Sequence, residues 1–275
     1  MMDDIRRFLE EDVGSGDVTA ELLVPDAMGT AAVTCEDDAV LAGLEEACEV
    51  FRALGAECRP LNRDGDAVTA GTVVMSVHGS MRALITGERL ALNLLMRMSG
   101  IATKTASAIR VMRTKDPEMT IAGTRKTTPG FRRYEKKAIA LGGGWPHRMG
   151  LYDMILVKDN HLVACGGIGK ALELLKQAAP GMPIDVEVTS AEQGMAVADH
   201  GVDIILADHM PPEEVRRLRD YARSVSPGTR IEISGNMTEE NILGYAGCAD
   251  IVSMGSLTHS VRAVHFSMDL DPVND

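Results

Sequence analysis

The 275-residue chain is long enough for one large or two modest domains, and its composition is that of a globular protein. Hydrophobic residues make up 45% of it and charged residues 25%. The formal net charge of -12 argues against duplex nucleic acid as the main partner, because phosphate binding needs clustered Lys and Arg. An acidic surface can still enclose a cationic pocket, so a small anionic substrate is not excluded.

Cysteine usage and hydropathy favour a cytoplasmic protein that does not enter a membrane. The Cys residues number five and form no C-x-x-C pair, so we expect buried free thiols rather than a disulfide framework or a zinc site. No apolar run is long enough to span a bilayer, and the acidic start has no signal-peptide pattern. The cysteines are Cys35, Cys48, Cys58, Cys165 and Cys248.

The first part of the chain, to about residue 103, mixes helices and strands. We predict a short helix over 3–11 and another over 39–54. Between 62 and 78, valines alternate with glycines, which predicts short strands in a hairpin-rich sheet. This pattern also resembles lipoyl or biotinyl carrier modules, but it lacks their exposed lysine hairpin. Apolar residues at helical spacing predict a long helix over 86–103.

From about residue 118, short apolar runs alternate with helical segments. We predict helices over 169–179, from a capping box at Ser190, from Pro211-Pro212, and from Thr238. Repeated strand–helix units require parallel strands with right-handed crossovers, in either an α/β barrel or an open doubly wound sheet. The predicted strands are 119–124, 154–158, 184–188, 203–207, 230–234 and 250–255.

Polar groups follow nearly every one of these apolar runs. In a barrel the carboxyl ends of the strands converge on one mouth, where barrel enzymes place their active sites. This pattern therefore favours a barrel over a doubly wound sheet. The residues at these strand ends, including two glycines, are Arg125, Lys126, Lys158, Asp159, Asn160, His161, Glu187, Asp208, His209, Ser234, Gly235, Asn236, Gly255 and His259.

Two loops place cations beside a flexible backbone. Residues 123–130 set Arg125 and Lys126 among hydroxyls and amides, which suits phosphate or carboxylate, since Arg binds bidentately and Lys adds a point charge. Residues 142–148 put three glycines before a His-Arg pair, so the backbone there can approach a ligand. An ordinary charged loop and a flexible linker are the alternatives.

Acidic and glycine-containing strand ends complete the candidate site. Glu187 and Asp208 can hold Mg²⁺, bind ribose hydroxyls or stabilise a cationic sugar. Two acids are too few for a metal site built from protein alone, so we expect any Mg²⁺ to arrive with a diphosphate substrate. Lys158 can hold an anion. Turns at 234–236 and 255–256 have amides that can bind phosphate. Solvated acids and ordinary turns are the alternatives.

Taken in order, these motifs resemble the quinolinate phosphoribosyltransferases, also called carboxylating nicotinate-nucleotide pyrophosphorylases. The resemblance covers most of the chain, and residues 124–130 are its most specific part. It implies an N-terminal α/β sandwich domain (1–103, rejoined by the tail 262–275) and a C-terminal open α/β barrel of fewer than eight strands (104–261), as in type II phosphoribosyltransferases. The other matching segments are 11–12, 16–19, 88–93, 99–103, 142–144, 147–148, 158–161, 187, 208, 234–235 and 255–260.

The resemblance also implies an activity, a partner and residue roles. Phosphoribose would pass from phosphoribosyl pyrophosphate to quinolinate with decarboxylation, in a Mg²⁺-dependent homodimer whose Arg89 reaches the partner's site. The residues implied to bind the pyridine dicarboxylate are Arg89, Arg125, His147 and Arg148. Catalytic roles are implied for Lys126, Lys158, Glu187 and Asp208, the last two also meeting Mg²⁺. Further substrate contacts are implied for His161, Ser234, Gly235, Gly255 and His259.

Three positions depart from the common family pattern. Pro146 replaces a frequent Asn, Asn236 replaces a frequent Gly, and Thr189 stands where an acid or Asn is frequent. None removes a charged ligand-binding group, but each can alter loop shape and substrate choice. The alternatives are a phosphoribosyltransferase that uses nicotinate or another acceptor, the molybdenum-associated paralogue, and a non-catalytic phosphosugar-binding protein.

Overall fold

The computed structural model describes residues 2–271, and these divide into two compact units. One unit contains the described residues up to Lys104, the segment Ala140–Gly142, and those from Val261 onward. The other contains Thr105–Ile139 and Gly143–Ser260. Of the tail expected to rejoin the N-terminal domain, residues 272–275 lie outside the described part.

Helices and strands alternate through most of residues 2–271. The helices are α1 (Met2–Val13), α2 (Val18–Leu23), α3 (Leu44–Ala53), α4 (Met81–Arg113), α5 (Arg132–Leu141), α6 (Asp159–Cys165), α7 (Ile168–Ala178), α8 (Ala191–Ala198), α9 (Pro212–Val225) and α10 (Ser256–His259). The strands are β1 (Met28–Cys35), β2 (Ala39–Val40), β3 (Glu57–Pro60), β4 (Ala67–Val68), β5 (Thr72–Ser80), β6 (Thr120–Ala122), β7 (Ile155–Val157), β8 (Ile184–Val188), β9 (Ile204–Asp208), β10 (Arg230–Ser234), β11 (Ile251–Ser253) and β12 (Phe266–Leu270). None of the described helices is long and apolar enough to cross a membrane.

The first unit is built on an antiparallel sheet with the strand order β12-β1-β5-β3. In β1 every second residue from Ala31 to Cys35 is buried, which is the period of a strand with one face on a core. Helix α3 buries Ala47, Val50 and Phe51 at helical spacing. The long helix predicted from the sequence is confirmed by α4. The predicted short strands also form, but β4 pairs with β2 and β5 pairs with β1 and β3, so among the described residues no strand of this unit makes a hairpin with the next one.

The helix predicted over 39–54 is shorter than expected. Ala39–Val40 forms β2, which pairs with β4, and the helix begins only at Leu44. Gly43 separates the two elements with a φ of 102°, a left-handed conformation that glycine adopts at little cost. The strand pairing, a long-range contact, therefore overrides the helical pattern of the local sequence.

The prediction of free thiols is wrong for two cysteines. Cys48 on α3 and Cys58 on β3 form a disulfide, with their Cα atoms 5.2 Å apart. Cys35 and Cys248 are free and buried as expected, whereas Cys165 is free but only partly buried. The helix-to-strand connection between α3 and β3 brings the pair together, which cysteine spacing alone does not reveal.

The second unit contains a six-stranded parallel sheet with the order β6-β11-β10-β9-β8-β7. Strands that follow each other along the chain are neighbours, except that the first strand, β6, pairs with the last, β11. Within residues 2–271 no ladder joins β6 to β7. This order is that of a barrel left open between its first two strands, so the prediction of an open barrel with fewer than eight strands is confirmed.

Aliphatic side chains fill this unit. Val186, Ile205 and Ile231 are fully buried on three adjacent strands, and the continuous apolar strands fit burial on both sheet faces. Burying each such side chain contributes about 1.5–3 kcal/mol to folding. This rigid framework holds the strand ends, and hence the residues that follow them, in fixed positions.

Two of the three helix starts predicted in this part of the unit are confirmed, and the third is wrong. Pro212 opens α9 with acids in its first turn, as expected. Ser190 caps α8 by accepting from the Gln193 N–H, but the Gln193 side chain accepts from Thr189 instead of completing the capping box. The α-helix predicted from Thr238 is wrong, since only a 3-10 helix, Ile242–Tyr245, forms there. The Asn241 side chain bonds the backbone at both 236 and 238 and competes with a regular helix.

Candidate active site

A cavity of about 440 Å³ opens at the carboxyl ends of the barrel strands. This volume is within the range of small-molecule sites. The residues that line it are Gly123, Thr124, Arg125, Lys126, His147, Arg148, Leu156, Lys158, Glu187, Leu206, Asp208, His209, Glu232, Ser234, Gly235 and Ser253. The structure thus brings together the cations, acids and glycine turn that the sequence singled out at separate strand ends.

The loop after β6 carries Arg125 and Lys126 and is tied down at both sides. The Thr124 hydroxyl accepts from the Lys126 N–H at 3.1 Å. The Thr258 hydroxyl donates to the Lys126 carbonyl at 2.6 Å, which links the loop to α10. The two cations therefore extend from a backbone with few alternative conformations.

The loop that carries His147 and Arg148 is held against the end of β6. The Trp145 N–H donates to the Ile121 carbonyl at 2.9 Å, and the Gly123 N–H donates to the Trp145 carbonyl at 2.9 Å. The glycines were predicted to let the backbone approach a ligand, and here they allow its close approach to the barrel: a Cβ on Gly144 would lie 2.7 Å from the Thr105 side chain. The loop adds a short parallel bridge to the barrel between Ala122 and Trp145.

His147 is bound to a buried carboxylate at the floor of the cavity. Its Nε2 lies 3.1 Å from Glu232 Oε2, and Glu232 Oε1 accepts from the Ser253 hydroxyl at 2.5 Å. His147 Nδ1 accepts from the Arg148 N–H at 2.8 Å, so the hydrogen of a neutral ring must be on Nε2, where it donates to Glu232. Both ring nitrogens of His147 are therefore hydrogen-bonded to other groups of the protein.

Asp185 is the second buried acid of the floor. It is fully buried, and within the described chain neither carboxylate oxygen has a hydrogen-bond partner. Burial, and then the neighbouring Glu232, raises the pKa of Asp185 well above its usual value. The protonated form of Asp185 is therefore favoured more than in an exposed aspartate.

The floor residues have the composition of a metal site, but their hydrogen bonds oppose one. Ligand atoms of His147, Asp185 and Glu232 lie within 4.8 Å of one another. A metal at Nε2 would need the lone pair there, which places the ring hydrogen on Nδ1. That position already accepts the Arg148 N–H. The cluster is therefore a hydrogen-bonded floor rather than a metal centre.

Glu232 and Asp185 were not among the site residues predicted from the sequence. Both lie inside apolar runs, Ile184-Asp185-Val186 and Ile231-Glu232-Ile233. Burying an acid in a strand that is covered on both faces costs free energy unless the acid has a partner inside the barrel. An acid between two apolar residues of a predicted strand is therefore the sequence signal that would have identified them.

The acids Glu187 and Asp208 and the second lysine of the cavity, Lys158, lie nearer to solvent. Lys158 forms an ion pair with Glu187, with side chains 46% and 18% exposed. Asp208 Oδ2 lies 4.0 Å from His209 Nε2. Exposed pairs of this kind contribute little to stability, so these groups remain available to a ligand. The carboxylate oxygens of Glu187 and Asp208 are ligands of the kind that Mg²⁺ binds.

The turn after β10 places two successive residues, Gly235 and Asn236, in the left-handed region of the backbone. Gly235 has a φ of 102°, and a Cβ on it would lie 2.6 Å from the His209 ring. Among the described residues other than glycine, a positive φ occurs only at His147, His209 and Asn236, all at this site. The φ of 51° at Asn236 explains its departure from the family pattern, since Asn tolerates the left-handed region better than most residues.

Four predicted site residues lie outside the lining of this cavity. Gly255 and His259 are adjacent to it, since a Cβ on Gly255 would lie 3.0 Å from the Lys126 side chain and 3.1 Å from the His259 ring. His161 instead caps α6, where its Nδ1 accepts from the Lys158 N–H at 3.0 Å. Arg89 belongs to the other unit, where its side chain is 60% exposed.

Comparison with known proteins places both units in one family. The family model described as the quinolinate phosphoribosyl transferase N-terminal domain matches residues 17–99. The model of the C-terminal domain of the same enzyme matches residues 101–269.

Relatives from distant organisms are similar over nearly the whole chain. The probable nicotinate-nucleotide pyrophosphorylase [carboxylating] of Bacillus subtilis is 38% identical and covers 98% of this chain and 93% of its own. The human nicotinate-nucleotide pyrophosphorylase [carboxylating] is 36% identical over 87% of this chain and 82% of its own.

Solved structures show the same two-domain fold. The crystal structure of NadC from Streptococcus pyogenes has a TM-score of 0.92 and 36% identity, and the comparison covers 99% of this chain and 96% of that one. The nicotinate-nucleotide pyrophosphorylase from Francisella tularensis has a TM-score of 0.91 and 31% identity, with 98% and 97% covered. With both family models matched in order and relatives aligned from end to end, the chain belongs to the quinolinate phosphoribosyltransferase family.

Proposed function

We propose that this chain transfers phosphoribose from phosphoribosyl pyrophosphate to quinolinate with decarboxylation, giving nicotinate mononucleotide, pyrophosphate and CO₂ for NAD synthesis. The observation that carries the proposal is the convergence of four cations with two solvent-accessible acids in one cavity. The cations are Arg125, Lys126, Arg148 and Lys158, and the acids are Glu187 and Asp208.

The cations suit an acceptor with two carboxylates. Arg125 and Arg148 present planar guanidinium groups, which bind carboxylates bidentately. Holding both carboxylates of a rigid pyridine fixes the direction of its ring nitrogen. This positioning is the main contribution that the two arginines make to catalysis.

The acids suit the sugar donor. As pyrophosphate leaves C1 of the ribose, positive charge develops on the sugar, as in glycoside cleavage. Glu187 and Asp208 stabilise that charge electrostatically and bind ribose hydroxyls. Mg²⁺, which we propose arrives with the diphosphate, would find oxygen donors in the same two side chains and would neutralise the leaving group. Lys126 and Lys158 neutralise the remaining phosphate charge.

The bond changes follow from this arrangement. The pyridine nitrogen donates its electron pair to C1 while the C1–O bond to pyrophosphate breaks. The ring nitrogen then carries a positive charge, and the bond from C2 to its carboxylate breaks with its electron pair remaining on the ring. CO₂ leaves, and C2 takes up a proton. Ser234 and Gly235 hold the 5′-phosphate, together with Gly255 and His259.

The decisive test is an assay with purified protein, phosphoribosyl pyrophosphate and Mg²⁺, following CO₂ and nicotinate mononucleotide. We expect both products from quinolinate and none from nicotinate as the parallel acceptor. Turnover with nicotinate alone would contradict the assigned acceptor, and no turnover with either would favour a non-catalytic paralogue.

We propose in addition a homodimer in which Arg89 completes the partner's site, consistent with its 60% exposure. Mixing Arg89→Ala and Arg125→Ala proteins tests this. A hybrid dimer has one intact site, formed by Arg125 of one subunit and Arg89 of the other, so two inactive proteins should regain activity together. No recovery after verified subunit exchange would contradict the shared site.

We also propose a cytoplasmic location, since both substrates are too highly charged to cross a bilayer unaided.

A further inference from the structure

Helix α5 buries charged residues that the proposed reaction does not use. Glu135 is fully buried and Lys136 is 1% exposed. Buried charges are costly unless they are partnered, so their partners indicate their purpose. Both side chains reach backbone or hydroxyl groups of the two loops that carry the cations of the cavity.

Glu135 holds the loop of Arg125 and Lys126. One carboxylate oxygen accepts from the Thr128 N–H at 3.0 Å, and the other accepts from the Thr128 hydroxyl at 2.9 Å. Arg132, one turn earlier on α5, donates from Nε to the Thr127 hydroxyl at 2.9 Å. The end of this loop is therefore fixed to the start of α5 by three hydrogen bonds.

Lys136 holds the loop of His147 and Arg148. Its Nζ donates to the Pro146 carbonyl, directly before the His-Arg pair. Arg132 also donates from Nη1 to the Met149 carbonyl at 3.2 Å, directly after the pair. The pair is therefore held from both sides by one helix.

Placing Lys136 here is energetically unfavourable for its charge. Burial, and then the nearby Arg132, lowers the pKa of Lys136 to about 8. A contact to the Pro146 carbonyl that served stability alone would not need a buried ammonium group close to Arg132 and Arg148. A positional requirement for the Pro146 carbonyl explains the placement.

We propose that Glu135 and Lys136 are positioning residues that set the separation of Arg125 and Arg148. Neighbouring helical residues project about 100° apart, so two consecutive side chains can reach two different loops from one rigid axis. The inference rests on the proposed function, because a fixed separation matters when two arginines bind the two carboxylates of one rigid acceptor. A displacement of about 1 Å in such a site costs up to about 10²-fold in rate.

The test compares Lys136→Met with Arg133→Met, which removes an exposed cation from the same helix. Steady-state kinetics give KM for each substrate, and calorimetry gives the Kd of quinolinate alone. We expect Lys136→Met to raise the quinolinate KM and Kd at least about tenfold, with the KM for phosphoribosyl pyrophosphate within about twofold. Arg133→Met should match the wild type.

Two results would overturn the proposal: equal losses for both substrates, which indicate general damage, or no change in quinolinate binding. If Lys136→Met does not fold, Glu135→Gln provides the second measurement, since it keeps the side-chain volume and one acceptor for Thr128. It should weaken quinolinate selectively while the thermal midpoint stays near that of the wild type. A wild-type protein that fails to bind quinolinate would instead refute the proposed function.

Discussion

The mouth and the floor of the barrel cavity use the same residue types in opposite surroundings. At the mouth, Lys158 and Glu187 form an ion pair with side chains 46% and 18% exposed. At the floor, Glu232 is 1% exposed and binds His147 and Ser253, while Asp185 is fully buried. Groups near solvent exchange partners at low cost and can act on a ligand. Buried groups cannot do so, and they fix geometry instead.

Removing a mouth cation should have the largest effect on activity. We expect Arg125→Ala to lower kcat/KM for quinolinate by about 10²–10³, because a preorganised charged donor is lost. Its thermal midpoint should stay near the wild-type value, since the side chain lies in the cavity lining. Near-normal turnover would refute its role in acceptor binding.

Removing a mouth acid should affect the chemical step. We expect Glu187→Gln to lower kcat by about 10², with smaller changes in KM, because in the proposed mechanism the carboxylate acts on charge that develops in the transition state. The matched control is Glu192→Gln, an exposed acid on α8 paired with Arg217 at 2.7 Å. A loss confined to KM would show that Glu187 binds the ground state instead.

Removing the floor acid should reduce stability more than the mouth variants do. Glu232→Ala leaves the His147 Nε2–H and the Ser253 hydroxyl without their acceptor, so the free energy of unfolding should fall by about 3 kcal/mol. Urea denaturation measures this loss, and Glu232→Gln, which keeps an acceptor, should lose less. Unchanged stability would mean that the floor does not hold the loop.

The smallest effect concerns the pH dependence of stability. The pKa of Asp185 is raised above 3.8 by burial and then by Glu232, so the folded state retains a proton that the unfolded chain has released. The contribution of this group is full below pH 3.8 and decreases as pH rises towards its folded-state pKa. Asp185→Asn should remove this decrease in unfolding free energies measured across that pH range. An unchanged slope would assign the titration to another group.

The open barrel was predictable because its signals are local. Each apolar run is a buried strand, and each ends in groups that barrel geometry must bring together. The cationic loops at Arg125 and Arg148, and the acids Glu187 and Asp208, were found this way. His161 was predicted to contact substrate from its motif, and in the structure its Nδ1 caps α6. The same side chain serves either purpose, and only its neighbours distinguish them.

By itself the sequence determined the strand–helix alternation, the polar strand ends and the family motifs, since these depend on residues close together in the chain. The tertiary structure decided which distant groups meet. The disulfide between Cys48 and Cys58, the pairing of His147 with Glu232, and the attachment of Pro146 to Lys136 are examples. Such contacts depend on how elements pack, and the period of a strand or helix gives the direction of a side chain but not its partner.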